Sequence, residues 1–193
     1  MLDPSLANKN QVRLLAVAVA VLLTARSMEF WSGQVARSVH LLAYGTWLGS
    51  LVWTTFVAGI TMFKNLPRQV FGRLQAKLFP LYFLLAIACI TLQVGTLAFG
   101  PGSGLAHKQL VTLGIALVAS LANGFVVEPK ATESMLKRYQ LENDDAKDAE
   151  RIKALRSEFG KLHGLSSTLN LAALVAAVSH GWWLASRMVL SAA

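Results

Sequence analysis

SVHLLAYGTWLGSLVWTTFVAGITMF (38–63), KNLPRQVFGRLQAK (64–77) and LFPLYFLLAIACITLQVGTLAF (78–99) decide the fold. The outer two are apolar runs, each longer than the roughly 20 residues of helix that cross about 30 Å of hydrocarbon. The middle one is a basic hinge. Together they read as a transmembrane hairpin that ends at Gly100-Pro101-Gly102. The whole chain agrees: 54% of its 193 residues are hydrophobic and 15% charged, with a mean hydropathy of +0.50. A soluble domain carries about 25% charged residues, so this composition belongs to a helical membrane protein.

Two further spans come after this hairpin. Residues 109–127 form the third, stopping at Glu128-Pro129, where the proline disfavours helix for the residue before it. Residues 164–186 form the fourth, closed by Arg187. The predicted fold is all-α: a polytopic bundle of four membrane helices in one domain, 38–187, with spans at about 38–62, 78–99, 109–127 and 164–186. A charged arm, 130–162, holds eight Lys/Arg and seven Asp/Glu, with Ile152, Leu155, Phe159 and Leu162 at helical spacing. Asn143-Asp144-Asp145 breaks the arm into two helices. Residues 1–37 form an extension with a short apolar run, LLAVAVAVLLTA (14–25), that reads as a targeting or interfacial helix.

The net charge of +8 looks like a nucleic-acid signal until the charges are located. Twelve of the 18 Lys/Arg fall in the hinge and the arm, which four spans place on one face. The bias assigns hinge 63–77 and arm 128–163 to the cytoplasmic, matrix or stromal side. Nucleic acid is excluded as a partner; lipids, and a second copy or a membrane complex, are the partners expected. Lys64, Arg68, Arg73 and Lys77 in the hinge, beside Val70, Phe71 and Leu74, describe a basic amphipathic helix on lipid headgroups, capped by Asn65. An ordinary positive-inside loop accounts for the same charges. Gly45 and Gly49, and later Ser120 and Gly124, are small-xxx-small pairs that let helices approach closely.

Polar groups at membrane depth cost free energy unless paired, so they are the functional candidates. His40, His107 and His180 gather near one face, and neutral imidazole is a common metal ligand. The three form a candidate haem or metal set; three separately satisfied interfacial histidines are the alternative. His40 shares a helix face with Tyr44 and Trp47, which turns it into the bundle. Glu128 and His163 lie at the other face as a candidate ion pair or helix-end bond. Asn123 and Asn170, at similar depth in spans three and four, could bond to each other. Cys89 stands alone, so no disulfide forms. There is no nucleophile–base constellation, phosphate loop or cysteine cluster, and the chain is not expected to be an enzyme.

The stretches HLLAYGTW (40–47), VWTTFVAG (52–59), LPRQVFGRLQAKLFPLYF (66–83), EPKATESM (128–135) and HGLSSTLNL (163–171) resemble the transmembrane protein 205 family, which is built on a domain of unknown function. The resemblance implies a four-helix membrane bundle and an efflux or metal-handling role, the family having been linked to resistance to platinum drugs. A sulfur-based route has little support here, since the chain offers one cysteine and five methionines. His40 followed by Trp47-Leu48-Gly49 is also similar to the first span of some membrane haem and copper proteins. The functional expectation is solute or metal handling, or a helper role in the membrane. The alternatives are a haem- or metal-binding redox protein using His40 with His180 or His107, and a structural subunit of a larger complex. Four spans are few for a monomeric conduit, so transport implies an oligomer.

Overall fold

The computed structural model describes residues 32–99, 107–144 and 148–190, together with Ala20 and Leu23. The rest of the extension, including most of the run 14–25, lies outside the described residues. Among the described residues, four helices carry apolar stretches long enough to cross a membrane: α1 Gly33–Asn65, α2 Arg68–Phe99, α3 His107–Glu142 and α4, whose apolar part lies within Ala149–Arg187 and whose helix runs to Leu190. No strand occurs among the described residues. The fold is an all-α membrane bundle.

Every helix is longer than its hydropathy span, because helix continues past the hydrocarbon into flanking polar sequence. The hinge is the clearest case. It is not a separate surface helix; its residues from Arg68 onward are the first turns of α2. The break is confined to Leu66-Pro67, with Leu66 extended at φ −113° and ψ 145° as the residue before a proline prefers. Asn65 does not cap the next helix either: its Nδ2 donates to Thr61 O at 2.8 Å and closes α1.

Pro129 likewise fails to end its helix. The five residues Asn123–Val127 form a π-helical turn, with Glu128 N–H donating to Asn123 O. An α-helical Pro129 would lack the bond to residue 125 and clash with its carbonyl; the wider turn just before it relieves that conflict. A second π turn, Trp53–Ala58, widens α1 so that Gly59 N–H reaches Thr54 O. A Cβ on Gly59 would stand 2.8 Å from that carbonyl, so a larger residue there would have to shift the turn. The arm divides as its Asn-Asp-Asp sequence suggests, α3 ending at Glu142 and α4 starting at Ala149.

Consecutive helices run antiparallel and pack α1 on α2, α2 on α3 and α3 on α4, while α1 meets α4 over a short seam. The core joins Trp47 and Leu51 of α1, Ala86 and Ile90 of α2, Leu113 and Ala116 of α3, and Ala173 and Ala177 of α4. Alanines on α3 and α4 bring backbones close. Leu42, Phe56, Phe63, Val118 and Trp182 point outward, as lipid-facing side chains do. α1 buries 11% of its apolar window against 44% for α2, which makes it the peripheral helix.

Candidate binding site at the paired histidines

Antiparallel packing brings the start of α1, the end of α2, the start of α3 and the late part of α4 to one end of the bundle. His40 and His180 meet there, 140 positions apart in the chain, with their Nε2 atoms 2.9 Å apart. Both are buried, His180 at 0% exposure and His40 at 6%. Their rings tilt by 56° with centroids 5.1 Å apart. Each Nδ1 faces an oxygen: that of His40 lies 2.6 Å from Thr96 Oγ1, that of His180 2.9 Å from Gln109 Oε1. A four-residue polar chain, Thr96–His40–His180–Gln109, thus crosses all four helices.

Aromatic rings hold the pair in place. Trp183 stacks on His180 at 5.6 Å, and Tyr44 packs against the same ring edge-on at 5.8 Å. Tyr44 Oη also donates to Ala177 O at 3.3 Å across the α1/α4 seam. Gly181 permits this approach, since a Cβ there would collide with the Tyr44 hydroxyl. Above the pair lies a half-open cleft of about 450 Å³, lined by Arg37, His40, Thr96, Trp183 and Arg187 among apolar neighbours.

The other candidates separate. His107 is exposed, and Gln109, two residues further along α3, takes the place beside His180 that the sequence offered to it. Asn123 and Asn170 do not bond to each other. Asn123 Nδ2 donates to Ser166 O at 2.9 Å, while Asn170 accepts from Tyr82 Oη at 2.7 Å and donates to Thr55 Oγ1 at 3.0 Å. Depth alone does not pair two side chains; the helical phase turns these amides apart. Glu128 is buried and accepts from Thr132 Oγ1 at 2.7 Å, whereas His163 is exposed and stacks on Phe159. Trp47 is fully buried, its indole N–H without a partner among the described residues.

Of the packing pairs, Ser120 is buried and Gly124 lies against Phe83, whose Cβ would be 2.8 Å from a Cβ at 124. Among the described residues, nothing lies within 4 Å of a Cβ added at Gly45 or Gly49. Lys64, Arg73 and Lys77 are exposed, and Arg68 pairs with Glu142 at 2.7 Å. Thr96, Gln109, Tyr82 and Trp183 are the contributors that sequence reasoning missed. A polar residue placed within one turn of an already suspect histidine was the available signal, and Gln109 fits it.

The fold and this end of it define a polytopic membrane protein, with four helices of spanning length among the described residues and a buried histidine pair under an open cleft. The chain belongs to the family of the domain of unknown function DUF4149, whose family model matches residues 42–140. Three relatives are similar to it over most of their length. Transmembrane protein 205 of Danio rerio is 28% identical, over 70% of this chain and 84% of its own. Xanthocillin biosynthesis cluster protein D of Aspergillus fumigatus is 29% identical, over 78% and 89%. An uncharacterized protein of Aquifex aeolicus is 33% identical, over 72% and 86%. No solved structure matches the chain.

Proposed function

We propose that this protein handles a metal ion or small solute in the membrane, with the His40–His180 pair as its cation-binding element. The observation that supports this is the 2.9 Å approach of two Nε2 atoms whose Nδ1 atoms already face oxygens. With Oε1 of Gln109 turned to the ring, His180 carries its proton on Nδ1 and a lone pair on Nε2. Thr96 then allows two arrangements. Its hydroxyl can donate to His40 Nδ1, in which case His40 Nε2–H donates to His180 and the chain is neutral and complete. Alternatively it donates to Leu92 O or Gln93 O, at 3.0 and 2.9 Å, and accepts from His40 Nδ1–H. Both Nε2 lone pairs then converge on one point and need a shared cation.

Metal-ligating histidines commonly have the second ring nitrogen held this way by an oxygen. Imidazole suits Zn, Cu, Fe and Ni, and a bound ion supplies the positive charge that two facing lone pairs require. A tetrahedral ion would set the nitrogens about 3.3 Å apart, a small opening from the distance observed. Haem held by both histidines would need its macrocycle between the two rings, and the contacting pair leaves no slot for it. The spacing of the two nitrogens favours an ion over haem. The relative named for a biosynthesis cluster is compatible with a small-solute or helper role.

The concentration of Lys/Arg at the hinge end supports a cytoplasmic, matrix or stromal placement of that end. Lipids surround the bundle in this reading, and a second copy or a membrane complex completes any conduit. Elemental analysis and an absorption spectrum of protein purified in mild detergent, beside His40→Ala and His180→Ala, test the site. Stoichiometric metal lost in both variants is expected. A folded wild type that is metal-free and takes up no added Zn, Cu or Ni ion would sink the metal reading, and a haem band would replace it with the redox alternative.

A further inference from the structure

We infer that the cleft over the histidine pair binds an anionic amphiphile: a carboxylate or phosphate head on an apolar chain. Arg37 of α1 and Arg187 of α4 both line it. Both side chains are oriented in advance. Arg37 Nε donates to Gly33 O at 3.0 Å, and the Arg187 guanidinium lies over the Trp183 ring at 5.6 Å. Among the described residues neither meets a carboxylate, whereas at the opposite end Arg68 and Arg138 both approach Glu142. The planar guanidinium fork matches carboxylate and phosphate oxygens, and charge-assisted bonds of this kind are the stronger ones.

Three further features narrow the ligand. These arginines lie on the face that is poor in Lys and Arg, so the topology bias does not account for them. The remaining walls include Ala36, Leu41, Leu97 and Leu184, which an inorganic ion could not use but an acyl or alkyl chain could. The volume, about 450 Å³, falls within the range of small-ligand pockets. An anion seated above the histidines would also offset a cation held between them, since two guanidiniums and a cation in one cleft repel. The inference goes beyond the histidine reading and does not depend on it.

Retention of lipid by the detergent-purified protein, read by native mass spectrometry, tests it. Palmitoyl-oleoyl phosphatidylglycerol should be kept about tenfold over phosphatidylcholine of the same chains, with the preference lost in the Arg37→Gln/Arg187→Gln double variant. Arg187→Gln alone, at an exposed position, should reduce it in part and guards against a folding failure of the double variant. Dodecyl phosphate or dodecanoate should displace the lipid where the same concentration of inorganic phosphate does not. Equal retention of the two lipids by wild type, a preference unchanged in both variants, or displacement by inorganic phosphate alone would overturn the proposal. Metal content measured on the same samples reports the histidine pair separately, so either reading can fail without the other.

Discussion

The two ends of the bundle solve the same problem with different chemistry. At the hinge end the polar groups are charged, Arg68 at the surface and Arg138 buried against aromatic rings. Arg68 pairs with Glu142 at 2.7 Å, Tyr139 Oη donates to Arg68 O at 3.2 Å, and the Arg138 guanidinium lies between the rings of Tyr139 and Phe159 at 5.1 and 5.5 Å. Long side chains and solvent on one side make that end tolerant. At the histidine end four uncharged side chains, one from each helix, form one chain in which each atom's role depends on its neighbour's. A closed chain of this kind is costly to break, because every deletion leaves a buried partner unmet. The asymmetry separates an end that packs from an end built to hold something.

Removing a link of the enclosed chain should therefore have the largest effect. His180→Ala deletes the central ring, leaves His40 and Gln109 without their partner and opens a cavity under Trp183. A loss of about 3 kcal/mol is expected in a denaturation midpoint series in detergent. An unchanged midpoint would mean that the pair does not form in the membrane protein, and the contrast between the ends would disappear. Next is Gly124→Val. Its Cβ would stand 2.8 Å from Phe83 Cβ, an atom tied to the α2 backbone, so the helices must part and about 2 kcal/mol is lost in the same series. Gly181 lies opposite the Tyr44 hydroxyl, the free end of a side chain that can swing away, so it is the more forgiving close approach.

Smaller effects come from single bonds away from the pair. Asn123→Leu removes one bond to Ser166 O and also removes Oδ1, which has no partner among the described residues. About 1 kcal/mol is expected, as for interhelical bonds in membranes generally, and no change in midpoint would take that contact out of the account. At the tolerant end, Arg68→Gln should cost under about 1 kcal/mol, because the Arg68 side chain is 55% exposed where it meets Glu142. A loss there as large as that of His180→Ala would erase the distinction between the ends.

The helices were legible because the apolar runs exceed the membrane thickness, and that signal does not depend on packing. The site was half legible. His40 and His180 stood out as polar groups at depth, and the phase shared with Tyr44 and Trp47 turned His40 inward. His107 carried the same signal but sits one helical face away, at an exposed position, and Gln109 does the bonding. Phase between helices depends on where each is rotated, which periodicity within one helix does not specify. The two π turns add to this. Trp53–Ala58 and Asn123–Val127 each insert an extra residue into a turn and rotate the remainder of the helix. Pro129 marked the second turn, though as a boundary rather than a widening.

The glycine pair on α1 carries the weakest expected effect on the single chain and the sharpest distinction. Among the described residues a Cβ on Gly45 or Gly49 meets no atom within 4 Å, so the pair packs against none of the described helices. Gly45→Leu/Gly49→Leu should leave the denaturation midpoint of dilute, monodisperse protein unchanged to within about 0.5 kcal/mol, as surface substitutions usually do. If the stripe serves contact between copies, the same variant should lower the mass of the detergent complex in light scattering, since small residues let backbones approach closely. A lowered midpoint would place α1 inside the bundle rather than at its edge. An unchanged mass as well as an unchanged midpoint would assign both glycines to lipid, and a transport role would then need its second copy to dock elsewhere.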